Sequence, residues 1–134
     1  MTRYLLDTNI VSDLVRYPSG RVAAHIIRVG EANVCTSIIV AAELRFGAAK
    51  KGSVALAARI DAVLGALQVV PLEAPTDQIY GDIRAGLERA GKAIGANDLL
   101  IAAHAMTLGH TLVTDNVDEF SRIGRLRLES WLRV

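Results

Sequence analysis

Short apolar segments alternate with helical segments along the whole chain, and this alternation constrains the fold more than any other feature. Segments with the length and composition of strands lie at residues 3–7, 34–37, 68–72 and 111–114, with a shorter edge strand at 127–129. Strands that alternate with helices in a short chain form a parallel sheet with helices on both faces. The sequence therefore predicts an α/β fold, a single domain over residues 1–134, with four to five parallel strands in a three-layer α/β/α arrangement.

The helical segments have the hydrophobic periodicity and end signals expected between such strands. They are predicted at residues 10–16, 21–29, 38–51, 54–67, 76–90 and 98–108, with a helical turn at 118–122. Hydrophobic residues make up 51% of the chain but aromatic residues only 4%, so the core must consist mainly of Leu, Ile, Val and Ala. Such a core is typical of helices packed on a parallel sheet.

Four acidic residues, far apart in sequence, each lie beside the end of a predicted strand or in the first half of a predicted helix. They are Asp7, Glu43, Asp98 and Asp115. Because the carboxyl ends of parallel strands meet at one edge of the sheet, we expect these side chains to lie together there. Carboxylates in one place repel one another unless a cation lies between them. This pattern indicates a divalent-metal site and metal-assisted hydrolysis.

Each acid also has an ordinary structural interpretation. Asp7 can cap a helix, and Asp115 suits the turn that follows a strand. Glu43 can lie at the edge of an apolar stripe and reach solvent or Arg45. Asp98 can cap its helix as well, but that helix is apolar on nearly every side, which favours a functional carboxylate. Four independent caps would have no reason to share one edge of the sheet.

The charge balance argues against a protein that binds nucleic acids through bulk positive charge. Lys and Arg number 15 against 14 Asp and Glu. Arginines cluster only after Phe120, where a solvated surface is the simpler explanation and a local basic rim the alternative. These arginines are Arg122, Arg125, Arg127 and Arg133. Lys92 is a candidate loop cation near the acidic site.

The single cysteine, Cys35, reads as a small buried hydrophobic residue that cannot form an internal disulfide. A reducing cytoplasmic setting is expected, since the chain has neither a signal-peptide pattern nor an apolar run as long as a membrane span. The three histidines lack zinc-ligand spacing. Residues 86–93 nearly match a phosphate-binding P-loop, but Ala93 replaces its Ser/Thr and the segment follows a helix.

Four segments, taken in order, resemble PIN-domain ribonucleases and, more narrowly, the VapC toxins of bacterial type II toxin–antitoxin systems. They are Leu5-Leu6-Asp7-Thr8-Asn9, the helix 40–47, Gly95-Ala96-Asn97-Asp98-Leu99-Leu100 with its continuation to Ala105, and the segment 112–120. The resemblance extends to Trp131 and so covers nearly the whole chain. It implies a PIN-like fold and Mg²⁺- or Mn²⁺-dependent endonucleolytic cleavage of structured RNA of the tRNA or rRNA class, with inhibition of translation. It further implies a homodimer and neutralisation by a VapB-type antitoxin.

The resemblance also implies roles for particular residues. Asp7 and Asp98 match the metal-ligand aspartates, and Glu43 matches the acidic position of the third helix. The family often has its fourth acid in a Thr-x-Asp order, and here that place holds Asn116. Asp115 or Glu119 then supplies the fourth charge. The expected site comprises Asp7, Glu43, Asp98, Asp115 and Asn116, with Asp7, Glu43, Asp98 and Asp115 as metal ligands.

Residues 115 and 116 pose a separate question of orientation. Successive residues of a strand point to opposite faces. If the chain is still extended there, Asp115 and Asn116 cannot both face the site. We then expect Asn116 to face it as a neutral group, with Asp115 contributing charge from the turn.

Three alternatives remain open on the sequence. A receiver-like domain also has carboxylates at strand ends, but the third predicted strand is followed by Pro71 and Leu72 rather than an acceptor aspartate. A haloacid-dehalogenase-like phosphatase would require Asp-x-Asp after the first strand, where this chain has Asp7-Thr8-Asn9. The third alternative is a metal-free protein-binding module.

Overall fold

The computed structural model describes residues 1–132, and its elements follow the predicted alternation. The strands are β1 (Tyr4–Leu6), β2 (Val34–Ser37), β3 (Gln68–Val70), β4 (Thr111–Val113) and β5 (Leu128–Glu129). The helices are α1 (Thr8–Arg16), α2 (Arg21–Val29), α3 (Ile38–Lys51), α4 (Val54–Ala66), α5 (Thr76–Arg89), α6 (Ala96–Leu108) and α7 (Val117–Phe120). The sequence analysis did not predict the short 3₁₀ helix Glu31–Asn33. The remaining differences are one or two residues at element ends.

The five strands form one parallel sheet in the order β3-β2-β1-β4-β5. β1 is central, and its Leu6 is level with Thr36 of β2 and Val113 of β4. All strands run in one direction, so their carboxyl ends form one edge. The predicted three-layer α/β/α fold is confirmed.

Local sequence explains where several helices begin and end. Asp7, Ser37 and Ser53 each accept a backbone N–H from the first turn of the helix that they precede. Gly52 and Gly109 follow α3 and α6 in the left-handed conformation, with φ of 63° and 68°, which glycine adopts without steric cost. Asp7 therefore lies at the carboxyl edge of the sheet, between the end of β1 and the first turn of α1.

The core consists of aliphatic side chains from the sheet and the faces of the helices that cover it. Central strand residues Leu5, Leu6 and Leu112 are fully buried. α6 is buried along most of its length, as its apolar sequence predicts. No helix within residues 1–132 is long and apolar enough to cross a membrane.

Candidate active site

Asp7 is the most deeply buried of the predicted site residues. It lies directly after β1, and its side chain is only 4% exposed. Its Oδ1 accepts the backbone N–H of Ile10 at 3.0 Å, so the carboxylate does cap α1. A hydrogen bond from Thr114 also reaches this side chain. The capping interpretation of Asp7 is therefore confirmed, and the capping carboxyl group also lies at the edge where the other acids gather.

Glu43 is joined to the first residue of α1. The hydroxyl of Thr8 donates to Oε1 of Glu43 at 2.7 Å, although the two residues are 35 positions apart in sequence. Glu43 is half-buried on α3, and its negative charge raises the pKa of both Asp7 and Asp98. It thus faces the other carboxyl groups, while Arg45 pairs with Asp61 on the α4 side.

Asp98 lies in the first turn of α6 and contacts an acid from another element. Its carboxyl group is hydrogen-bonded to Glu119 of α7. Oε2 of Glu119 also accepts the amide N–H of Asn116 at 2.6 Å. A hydrogen bond between two carboxyl groups requires a proton on one of them. The structure therefore brings Glu119, one of the two alternatives for the fourth charge, next to Asp98.

Asp115 and Asn116 lie beyond the end of their strand. β4 ends at Val113, and the hydroxyl of Thr114 accepts the backbone N–H of Asn116 at 3.0 Å in a tight turn. Because the chain is no longer extended there, strand alternation does not separate the two side chains. Asn116 faces Glu119, while the charge of Asp115 raises the pKa of Asp7.

The pKa values show how strongly negative charge accumulates at this edge. The pKa of Asp7 is raised to about 6, mainly by burial and also by the charges of Asp115 and Glu43, against the hydrogen bonds from Thr114 and Ile10. Burial also raises the pKa of Asp98 to about 7, together with the hydrogen bond to Glu119 and the charges of Glu119, Glu43 and Asp7. A bound cation would offset this repulsion.

The donor set suits a hard cation, which prefers carboxylate oxygens. The carboxyl groups are those of Asp7, directly after β1, and of Glu43, Asp98 and Glu119 on α3, α6 and α7. The amide of Asn116 and the hydroxyl groups of Thr8 and Thr114 are hydrogen-bonded to them. Within residues 1–132, however, no three carboxylate, imidazole or thiolate groups lie close enough together to hold a metal ion as they stand. The chemistry of the residues therefore fits a divalent metal, and side-chain movement is needed to complete its coordination.

Sequence analysis did not single out Thr114, which is fully buried and bonded to Asp7. The one sequence feature that indicates a role for Thr114 is its position at the end of a predicted apolar strand. The motifs judged unpromising from the sequence do not join this site. His104 is buried against Ser37 with an Nδ1 to Oγ distance of 2.8 Å, and Cys35 is buried in β2. Residues 86–89 of the P-loop-like segment end α5, as predicted.

Comparison with known proteins identifies close relatives of the whole chain. The model of the PIN domain family matches residues 4–126. The ribonuclease VapC2 of Rickettsia felis is 38% identical over 130 residues, which cover 96% of this chain and 97% of that protein. The tRNA(fMet)-specific endonuclease VapC of Shigella flexneri is 33% identical over 132 residues, covering 98% of this chain and 99% of that protein.

Solved structures show the same similarity. A chain in the crystal structure of VapBC2 from Rickettsia felis, bound to a DNA fragment from their promoter, aligns with a TM-score of 0.89 and 35% identity. The alignment covers 97% of this chain and 99% of that chain. A chain of VapBC-1 from nontypeable Haemophilus influenzae aligns with a TM-score of 0.86 and 32% identity, covering 98% of this chain and 100% of that chain.

Proposed function

Because this chain belongs to the PIN-domain family and, within it, to the VapC ribonucleases, we propose that it is the toxin of a type II toxin–antitoxin system. It cleaves structured RNA in the cytoplasm with a divalent metal and thereby inhibits translation. The observation that carries this proposal is the meeting of Asp7, Glu43, Asp98 and Glu119 at one edge of the sheet. The relatives named as tRNA(fMet)-specific endonucleases support RNA of the tRNA class as the substrate.

The metal is Mg²⁺, with Mn²⁺ as a substitute, and Asp7, Glu43 and Asp98 are its ligands. Glu119 or Asp115 supplies the fourth charge. When bound, such an ion activates water and offsets charge on the phosphoryl group under attack. Three carboxylates are a reasonable set for Mg²⁺, which commonly keeps several water ligands.

Neighbouring side chains hold the carboxylates in place. Thr8 donates to Glu43, which fixes the rotamer of a long side chain. Asn116 donates to Glu119 and holds it beside Asp98. Groups of this kind, one step removed from the ligands, orient them and tune their affinity. The fully buried Thr114 does the same for Asp7.

An antitoxin of the VapB type is the protein partner. A cavity of about 440 Å³ opens between α1, α2 and α4, lined mostly by apolar side chains. Ile27 in this lining is 80% exposed, an unusual state for a large aliphatic residue. Val15 lines both this groove and a smaller cavity of about 160 Å³ that includes Glu43. A peptide in the groove can therefore continue towards the acids, where an arginine would compete with the metal.

Substitution of Ile27 separates antitoxin binding from RNA cleavage. Ile27→Asp should abolish neutralisation by the antitoxin while leaving cleavage of RNA unchanged, because the new charge faces the apolar groove and lies away from the acids. Co-purification with the neighbouring antitoxin and an RNA cleavage assay measure the two effects. Retention of full antitoxin binding would exclude this groove as the docking surface.

Asp98→Asn tests the proposed activity, because it removes a charge without changing the volume of the side chain. We expect RNA cleavage to fall by at least about 100-fold. Glu73→Gln, at an exposed position in the segment before α5, is the matched control and should keep full activity. Purified proteins are compared on tRNA transcripts with Mg²⁺, with Mn²⁺ and with EDTA, and circular dichroism confirms that each is folded. Cleavage that persists in EDTA, or in folded Asp98→Asn, would refute the proposal.

The sequence alternatives receive less support. A receiver-like domain requires an acceptor aspartate at the end of its third strand, but β3 is followed by Pro71 and Leu72. A metal-free binding module gives no reason for several carboxyl groups to raise one another's pKa values at one edge.

A further inference from the structure

Four of the 15 Lys and Arg side chains line two adjoining cavities next to α6. A cavity of about 340 Å³ lies between α5, α6 and the segment after α7, and Lys92, Arg122 and Arg125 line it. A second cavity of about 300 Å³ continues from it and is lined by Arg125, His110 and Arg127. The two share Met106 and Arg125, so they form one continuous surface. We call this surface the basic furrow. Its cations are Lys92, Arg122, Arg125 and Arg127.

One end of the basic furrow adjoins the carboxyl groups. Arg122 lies three residues after Glu119, and its backbone N–H donates to the Glu119 carbonyl at 3.2 Å. Its side chain donates to the Ala93 carbonyl at 3.0 Å, in the loop just before α6. Asp98 lies in the first turn of that helix. A strand that leaves the acidic site can therefore enter the furrow directly.

The furrow contacts α6 at Met106, ten residues after the helix begins at Ala96. At the helical rise of ~1.5 Å per residue, Met106 lies about 15 Å along the helix from its start beside the acidic site. A strand of about four stacked nucleotides, at ~3.4 Å each, spans that length.

The cations of the furrow are exposed and lack carboxylate partners. Within residues 1–132, none of the four forms an ion pair with an acid. Asp82 is the one carboxylate among the described residues that line the two cavities. Burial lowers the pKa of His110, and the positive charges of Arg3 and Arg127 lower it further. Four cations and one carboxylate therefore line the furrow, which gives it a net positive charge.

We propose that the basic furrow binds the phosphates of the RNA strand on one side of the cleavage site. This inference rests on the proposed ribonuclease function and adds the path of its substrate. A polyanion suits the furrow better than an apolar protein surface, because the large exposed hydrophobic residues lie elsewhere. They are Met1, Tyr17, Ile27, Ile38, Phe46 and Val54. Arginine side chains are well suited to phosphate, which they can contact through two N–H groups.

The test replaces two cations whose side chains form no hydrogen bond within residues 1–132, so that folding is not disturbed. Lys92→Gln combined with Arg125→Gln is introduced into the inactive Asp98→Asn protein, and binding of a fluorescent tRNA transcript is measured from 50 to 300 mM salt. We expect a Kd about 10-fold higher at 100 mM salt, and a log–log salt slope smaller by ~1.4 if both contacts are to single-stranded phosphates.

The control variant removes two positive charges from positions outside the furrow. Arg16→Gln combined with Lys50→Gln, on exposed parts of α1 and α3, should change neither the Kd nor the slope appreciably. Lys92→Arg combined with Arg125→Lys, which keeps both charges, should restore binding. In the active protein, the furrow variant should raise KM and leave kcat unchanged.

The outcomes separate this inference from the proposed function. If the wild-type protein cleaves RNA and the furrow variant has the KM and salt slope of the control, the furrow proposal is wrong and the function stands. If the furrow variant loses antitoxin binding instead of RNA binding, the surface binds protein and the proposal is again overturned. Absence of metal-dependent cleavage by the wild type would refute the function itself.

Discussion

Replacing Asp7 by asparagine should make the metal-free protein more stable, because the native structure buries an ionised carboxylate among other acids. Burial and the neighbouring charges raise its pKa from 3.8 to about 6. A carboxyl group whose pKa is higher in the folded state than in the unfolded state stabilises the folded protein. This contribution is complete at pH values below the pKa of the unfolded state, and it is lost as the pH rises through the pKa of the folded state. The stability of wild-type protein should therefore fall between about pH 4 and pH 7 from this group.

The size of the expected gain in stability follows from the pKa shift of Asp7. A rise of roughly two pKa units corresponds to about 3 kcal/mol at ~1.4 kcal/mol per unit. Solvent screening reduces this little, since the side chain is 4% exposed. Asparagine keeps an oxygen that can accept the N–H of Ile10, but its new NH₂ group needs a partner. We therefore expect a net gain of about 2 kcal/mol, or roughly 6–10 °C in melting temperature for a chain of this size.

The assay compares thermal unfolding of wild-type and Asp7→Asn proteins in EDTA at several pH values. The two should be nearly equal at pH 4 and differ increasingly up to pH 7.5. Asp82→Asn, at an exposed position, should show no such divergence. Added Mg²⁺ should raise the melting temperature of wild-type protein and leave Asp7→Asn nearly unchanged. A variant that is less stable than wild type at pH 7.5 in EDTA would refute the reasoning.

Two further substitutions test the turn after β4, and one tests the C-terminal part of the core. Asn116→Asp should tighten Mg²⁺ binding in calorimetric titrations and lower metal-free stability by about 1 kcal/mol, because a hydrogen bond is replaced by repulsion. Asp115→Asn should reduce RNA cleavage only partly, and complete inactivity would assign the fourth charge to Asp115 rather than to Glu119. Trp131→Ala should lower the free energy of unfolding by about 3–5 kcal/mol in urea titrations. The indole is 1% exposed, stacks on His25 with ring centroids 5.0 Å apart and donates to Glu129. A loss below about 1 kcal/mol would show that this region contributes little to stability.

Some features were predictable because they depend on residues close together in sequence. The alternation of strands and helices follows from local hydrophobic periodicity. Helix ends follow from capping residues such as Asp7 and Gly109. Their predicted positions are within one or two residues of those observed, and the three-layer α/β/α fold follows from the alternation. The clustering of acids at one edge was predictable as well, since parallel strands share a carboxyl edge.

The basic furrow was only partly predictable. The run of arginines after Phe120 is visible in the sequence, and a solvated surface was the simpler interpretation. Folding places Arg122 and Arg125 in one cavity with Lys92, and Arg125 and Arg127 in the adjoining one. The fourth, Arg133, lies outside the described residues.

The contacts that complete the site were decided by the tertiary structure alone. Thr8 meets Glu43 across 35 residues, and Asp98 meets Glu119 of α7. These pairs depend on the strand order, which places β4 beside β1, and on the end of β4 at Val113, which turns the following residues towards α6. Periodicity and capping describe how a residue relates to its near neighbours in sequence. The distance between two side chains on different elements depends instead on how those elements pack, and no local pattern contains it.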